Sequence, residues 1–284
     1  MQIKNYKDIF KKELLPIYDE QEIDSFFYII LEKLHGLKRI DLALNPETVM
    51  DGIHLKQWKS ILSDLKIQKP IQYILGETEF YGCRFEVNEN TLIPRQETEE
   101  LVEFIISNYQ ITTSPNNLKI LDIGTGSGCI AISLAKNLPN AEVFAIDVSE
   151  KALATAQKNA DINDTNVTFL LKNILETDDL EQQFDIIVSN PPYVRNLEKA
   201  EIKPNVLEYE PHLALFVEDT DALLFYRKIA ELAKKNLNPN GKLYFEINQY
   251  LGKETVRLLE DSGFRNVELK KDIYGNDRMI SCSL

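Results

Sequence analysis

The chain has 284 residues, enough for one large or two modest domains, and its 44% hydrophobic and 27% charged content is ordinary for a globular protein. A formal net charge of −13 argues against a protein that grips nucleic-acid backbones through a basic face; it would steer a basic protein partner instead. No apolar run approaches the roughly 20 residues of a membrane span, and no membrane partner is expected.

The start, Met1-Gln2-Ile3-Lys4, has no apolar segment of the kind a signal peptide carries, so none is expected. Cys83, Cys129 and Cys282 are scattered and lack Cys-x-x-Cys spacing. That pattern predicts neither a disulfide framework nor a metal site, and it fits a reducing cytoplasm.

Residues 1 to about 75 carry helical periodicity. Tyr6, Ile9, Phe10 and Leu14 recur at helical spacing before Pro16. Residues 21–34 place Ile23, Phe26, Phe27, Ile30, Leu31 and Leu34 on one stripe, with Gly36 beyond as a cap. Residues 39–44 make a short helix, and 47–65 a longer one with Val49, Ile53, Trp58, Ile61, Leu62 and Leu65 apolar. A small bundle results. Its aromatic stripe reads as core, and His35 and His54 read as structural.

Residues 78–87 alternate around Gly82 as a β-hairpin, and a helix follows Ile93-Pro94-Arg95 to about 109. The glutamates 97, 99 and 100 suit the first turn of that helix through its dipole. Residues 112–117 read as a surface loop. Strands at 118–123, 141–146, 166–171, 184–188, 242–247, 264–270 and 278–283 then alternate with helices at 127–138, 150–162, 221–237 and 252–262. This predicts an α/β fold with a mostly parallel seven-stranded sheet, helices on both faces and an antiparallel last strand. The expected organisation is a helical domain over 1–75, a hairpin linker over 76–95 and a sheet domain over 96–284.

Two stretches carry chemistry. The first, Asp122 to Gly128, is a Gly-x-Gly-x-Gly turn at a strand-to-helix junction: Gly124, Thr125, Gly126, Ser127, Gly128. Its glycines allow close backbone approach, and the helix start is expected to offer N–H groups to a ligand. A dinucleotide fingerprint would want its third glycine where Cys129 stands. Asp147, at the end of the next strand, is placed to accept from both ribose hydroxyls, or else to cap the helix near Ser149. Asp122, costly to bury unpaired, either ties down the turn or meets a ligand ammonium. Asn173 and Ile174 follow the third strand, where an adenine would lie, or form plain loop.

The second stretch is Asn190-Pro191-Pro192-Tyr193, after an apolar strand that the prolines forbid continuing. It leaves a carboxamide and a phenol at the strand's C-terminal edge, where open α/β sheets bind ligands. The set suits a planar substrate bearing an NH2 group. A strand-terminating turn is the plainer reading of Asn-Pro alone.

Together these residues resemble class I S-adenosylmethionine-dependent methyltransferases that modify a planar nitrogen. More closely, the chain resembles the protein-(glutamine-N5) methyltransferases that modify bacterial peptide chain release factors, the HemK/PrmC family. The likeness spans nearly the whole length. It includes the helical N-terminal region, 70–76, Phe80-Tyr81-Gly82, Ile93-Pro94-Arg95 with Glu97-Thr98-Glu99, the glycine turn and the Asn190 tetrapeptide. It continues in Glu210-Pro211 with Ala214-Leu215, and in Asp272, Gly275 and Arg278.

The resemblance implies a Rossmann-like sheet, S-adenosyl-L-methionine as cofactor, a release factor as protein partner and no resident metal. A monomer is expected. The chain departs from the family's usual residues at Gln96, Asn173, Ile174, Asn248 and 216–220.

The mechanism expected is in-line transfer. The Asn190 side-chain oxygen and the Pro191 carbonyl accept the two amide hydrogens of a glutamine, and Tyr193 packs on the amide plane. Phe225 and residues 208–215 shape the substrate side, and His212 is a weaker candidate there. Four rivals are an adenine-N6 methyltransferase of nucleic acid, a glutamine methyltransferase of a ribosomal protein, a nucleotide-binding oxidoreductase and a catalytically silent binding module. The acidic charge disfavours the first, the glycine spacing the third and the intact tetrapeptide the fourth.

Overall fold

The computed structural model describes residues 1–110 and 118–284; the loop expected at 112–117 lies outside the described residues. The chain divides into two compact units.

The first unit holds Met1–Gly76 with Lys203–Tyr209. Its helices are α1 (Ile3–Leu14), α2 (Glu20–His35), α3 (Arg39–Leu44), α4 (Gly52–Lys66), α5 (Ile71–Leu75) and the short α9 (Pro204–Tyr209). Asp19 caps α2 by accepting from the Gln21 and Glu22 amides at 2.9 and 2.8 Å, and Gly36 ends it at φ +64°. Trp58 is the hub of the core, its ring 4.9 Å from Phe27, 5.6 Å from Tyr6 and 5.7 Å from Phe10. Its indole N–H donates to His35 Nε2 at 3.0 Å. Burial first, then the neighbouring His54, lowers the His35 pKa, so the ring stays a neutral acceptor, in the structural role expected of it.

The helix expected over 47–65 begins only at Gly52. Asp51 caps it, accepting from the Ile53 and His54 amides at 2.9 and 2.8 Å. Val49 instead forms an isolated antiparallel bridge with Gln2. Val49 and Ile53 are consequently exposed, at 64% and 72%, and do not belong to the core stripe.

The second unit holds Glu77–Ile202 and Glu210–Leu284. It starts with the hairpin β1 (Glu77–Phe80) and β2 (Cys83–Glu86), with Gly82 at φ +68°. After α6 (Gln96–Gln110) come β3 (Lys119–Ile123), α7 (Cys129–Asn137), β4 (Glu142–Asp147), α8 (Glu150–Ile162), β5 (Val167–Leu171) and β6 (Phe184–Ser189). The short parallel pair β7 (Val194–Arg195) and β8 (Phe216–Val217) follows, then α10 (Leu224–Asn236), β9 (Leu237–Glu246), α11 (Gly252–Asp261), β10 (Arg265–Lys271) and β11 (Asp277–Ser283).

The main sheet has the order β10-β11-β9-β6-β3-β4-β5. The run from β9 to β5 is parallel, and β11 is antiparallel to both its neighbours. Alternate residues feed two cores: Ile120, Ile186 and Val188 join one, and Leu121, Ile123 and Ile187 the other. Helices cover both, as a parallel sheet requires.

Two elements differ from expectation. α10 starts at Leu224, because 219–221 forms a 3-10 turn whose Asp221 pairs with Arg227 at 2.7 Å. β9 starts at Leu237, five residues early: Leu237 pairs with Phe184 and Lys242 with Ile186, and an irregularity between them absorbs three extra residues of β9. The hairpin belongs to the sheet unit. Asn159 of α8 clamps its second strand, accepting from the Glu86 amide at 2.6 Å and donating to the Glu86 carbonyl at 2.9 Å.

Gly128 opens α7 at φ +83°, where an added Cβ would stand 2.9 Å from Ile132 and 3.1 Å from Ala156. Behind the same turn Asp122 is fully buried, and its carboxylate accepts from the Thr125 hydroxyl at 2.6 Å. Burial pushes the Asp122 pKa up to about 7, partly offset by the Thr125 hydroxyl and the Ala131 amide.

Two outcomes are expected. Gly128→Ala should lose about 2–4 kcal/mol in urea unfolding, the sum of left-handed strain and overpacking. For Asp122 the folded chain keeps a proton that the unfolded chain releases at about pH 4. Its contribution is therefore whole below that pH and is lost as pH rises toward about 7. Asp122→Asn should flatten this part of the stability–pH curve, measured by unfolding at stepped pH.

Candidate active site

The strand order reverses between β3 and β6, and a cavity of about 370 Å³ opens at their C-terminal edge. All of its lining residues belong to the second unit.

One wall is the glycine turn. Gly124 and Gly126 sit at φ +75° and +56°, and a Cβ built on either meets nothing within 4 Å. Both line the cavity with Thr125 and Ser127. Four N–H groups of this turn are already taken within the protein. Those of Gly124 and Thr125 donate to the Ile146 carbonyl at 2.9 and 3.1 Å, and that of Gly128 to the Thr125 carbonyl at 2.9 Å. The Gly126 amide donates to the Asp147 carboxylate at 2.9 Å.

Asp147 uses its other oxygen for the Ser149 amide at 2.8 Å, while Ser149 itself caps α8. Burial raises the Asp147 pKa, and these backbone donors oppose the rise. Each carboxylate oxygen keeps further acceptor capacity, and the residue lines the cavity beside Asn173 and Ile174. The side-chain oxygen of Asn173 accepts from the Leu175 amide at 3.1 Å.

The opposite wall carries Asn190, Pro191 and Pro192, with Phe225 and Ala214 near them in the lining. The Asn190 amide nitrogen donates to Thr98 Oγ1 at 3.2 Å, and that hydroxyl donates to Glu246 Oε2 at 2.6 Å. Tyr193 donates to Glu246 Oε1 at 3.0 Å. Glu246 is 1% exposed. Burial raises its pKa, against the opposing hydrogen bond from Thr98 and the charge of Arg278. Burial and Glu246 hold the Tyr193 phenol far above its ordinary value, so it is a donor and not a base.

The cavity thus gathers Gly124, Thr125, Gly126, Ser127, Asp147, Asn173, Ile174, Asn190, Pro191 and Pro192. Asp122, Gly128 and Tyr193 stand behind its surface. Asp122 ties the turn, Gly128 seats α7 on α8, and the Tyr193 hydroxyl is committed to Glu246. His212 packs edge-on against Phe216 at 5.2 Å and lies outside the lining.

Two pairs were not foreseen from the sequence. Arg95 forms an ion pair with Glu210, whose other oxygen accepts from the Ile93 amide at 3.2 Å. Thr98 and Glu246 meet across 148 positions. The one available signal was a glutamate closing an apolar strand, since a buried charge has to find partners. The departure at Asn248 also has a use: its amide donates to the Tyr193 carbonyl and to Glu198, both at 2.9 Å.

S-Adenosyl-L-methionine fits this donor set. Its ribose hydroxyls call for a carboxylate acceptor such as Asp147, and the glycines of the turn leave room for close approach of the ligand to the backbone.

Residues 98–209 match the family model for the methyltransferase small domain, and residues 11–76 that for the PrmC N-terminal domain. The chain is 72% identical to the release factor glutamine methyltransferase of Flavobacterium psychrophilum, across 99% of this chain and 98% of that one. It is 44% identical to that of Bacteroides thetaiotaomicron, across 96% and 97%. Among solved structures, a methyltransferase from Pyrococcus furiosus shares the fold at TM-score 0.51 and 21% identity, over 80% of this chain and 97% of that one. At this identity over nearly its whole length, the chain belongs to the release factor glutamine methyltransferase family.

Proposed function

We propose that this chain transfers the methyl group of S-adenosyl-L-methionine to the side-chain amide nitrogen, N5, of a glutamine in a peptide chain release factor. The observation that carries the reading is the Asn190 carboxamide. Its nitrogen is occupied by Thr98, so its oxygen is the end left for an NH2 group in the same cavity as the glycine turn.

The sulfonium supplies an already activated methyl group. The chain's own residues bind, orient and accept. Gly124, Thr125, Gly126 and Ser127 let the ligand approach the backbone closely, Asp147 accepts from ribose hydroxyls, and Asn173 and Ile174 flank the adenine. Asp122 and Gly128 hold the turn from behind. A glutamine amide nitrogen is a weak nucleophile because its lone pair is delocalised. The Asn190 oxygen and the Pro191 carbonyl, accepting one hydrogen each, turn that lone pair toward the methyl group. Pro192 and Phe225 wall the substrate side, and Tyr193 steadies the edge through Glu246. No strong base is needed, because the nitrogen becomes acidic as the new bond forms.

The partner is a release factor presenting its glutamine on an exposed loop, and the helical first unit offers a second surface for it. The −13 net charge and three free cysteines favour a cytoplasmic enzyme without direct nucleic-acid binding, acting as a monomer. No helix among the described residues is long and apolar enough to cross a membrane.

With labelled donor, methyl should appear on a purified release factor and not on its loop Gln→Ala variant, a ribosomal protein mixture or DNA. Label on either of the last two would move the substrate class. Asn190→Ala should bind cofactor as the parent does, by calorimetry, and lose about a hundredfold or more in kcat. Undiminished turnover would remove Asn190 from the chemistry.

A further inference from the structure

We propose that Thr98 and Glu246 are positioning residues, a buried hydroxyl–carboxylate relay that decides which end of the Asn190 carboxamide faces the substrate. The inference rests on the reading of Asn190 as the acceptor for the glutamine NH2.

A carboxamide has two ends of nearly equal shape and opposite hydrogen-bonding sense. Nothing in the bulk of Asn190 tells one from the other, yet the reaction needs the oxygen forward. With the nitrogen forward, an NH2 would face an NH2. A neighbour must therefore break the symmetry, and Thr98 alone does not, because a hydroxyl both donates and accepts.

Glu246 removes that freedom. Each of its two carboxylate oxygens is met by a hydroxyl donor, so neither is left to hold a proton toward Thr98, and the residue is 1% exposed. It takes the Thr98 proton at 2.6 Å and the Tyr193 proton at 3.0 Å. Arg278 lies close enough for its charge to favour the ionised form. With its single proton spent on Glu246, Thr98 offers only lone pairs to Asn190, and the Asn190 nitrogen meets them at 3.2 Å. The wrong rotamer would press the amide oxygen against those lone pairs.

The relay joins three distant segments. Thr98 comes from the first turn of α6, Glu246 from the last residue of β9, and Asn190 from the residue after β6. Thr98 is 2% exposed, so water does not compete for these bonds.

The test uses the full chain with cofactor and a release factor. Thr98→Val keeps the shape and deletes the hydroxyl, Thr98→Ala deletes it without a second methyl, and Thr98→Ser keeps it. Both Thr98→Val and Thr98→Ala should lose about a hundredfold in kcat, the scale for removing one oriented polar contact at a reacting group. Tm should fall, because Glu246 loses a buried donor, while cofactor Kd should stay at the parent value and Thr98→Ser should restore most of the turnover. Parent-like kcat in Thr98→Val or Thr98→Ala would overturn the relay. So would a Thr98→Ser enzyme as impaired as Thr98→Val, or a loss of turnover matched by an equal loss in cofactor affinity. Failure of the underlying reading shows separately, as a parent enzyme that leaves the release factor unlabelled or an Asn190→Ala enzyme that is fully active; either result removes the relay with it.

Discussion

Parallel pairing of β3 with β6 is the constraint on which the rest of the structure depends. Ile120 stands beside Ile186 and Ile123 beside Ser189, so both strands run out at the same edge of the sheet. The glycine turn follows one and the Asn190 tetrapeptide follows the other. A slip of one residue would move every side chain of a strand to the opposite face. The two alternating apolar cores, with Ile186 in one and Ile187 in the other, forbid that slip. Chemistry at this edge is a by-product of hydrophobic register.

Carboxylates near the strand ends then hold the loops. Asp122 on β3 takes the Thr125 hydroxyl, Asp147 on β4 takes the Gly126 and Ser149 amides, and Glu246 on β9 takes Thr98 and Tyr193. Burial raises the pKa of all three, so each stands in a poorly solvated place and leans on its donors. Glu210 does the same for the segment around Ile93 and Arg95. The two stretches that carried most of the family resemblance outside the sheet, Pro94-Arg95 and Glu210-Pro211, are thus the two halves of one ion pair.

Much of this was legible in the residues. Alternating apolar runs gave the seven strands, and the short Tyr274–Asp277 turn gave the antiparallel last one. The glycine turn, Asp147 and the tetrapeptide announced a cofactor and an NH2-bearing substrate because their chemistry is local in the chain. What stayed hidden was long-range or competitive. Val49 has helical neighbours, yet Asp51 is the better cap, and the helix waits for it. The partner of the Gly124 and Thr125 amides could not be read locally, because the Ile146 carbonyl that accepts from both is 22 positions beyond Gly124. The partner of the Tyr193 hydroxyl was equally hidden, because Glu246 is 53 positions away. Sequence lists the donors and acceptors; only folding says which ones meet.

The inward commitment of the turn's amides has a consequence for selectivity. Nucleoside triphosphates and dinucleotides share the adenosine of the sulfonium donor. A turn whose Gly124, Thr125, Gly126 and Gly128 amides are spent on Ile146, Asp147 and Thr125 has fewer donors for a phosphate oxygen, and an ionised Asp147 would repel one. Such ligands differ from the donor at the tail, so that is where this turn would tell them apart.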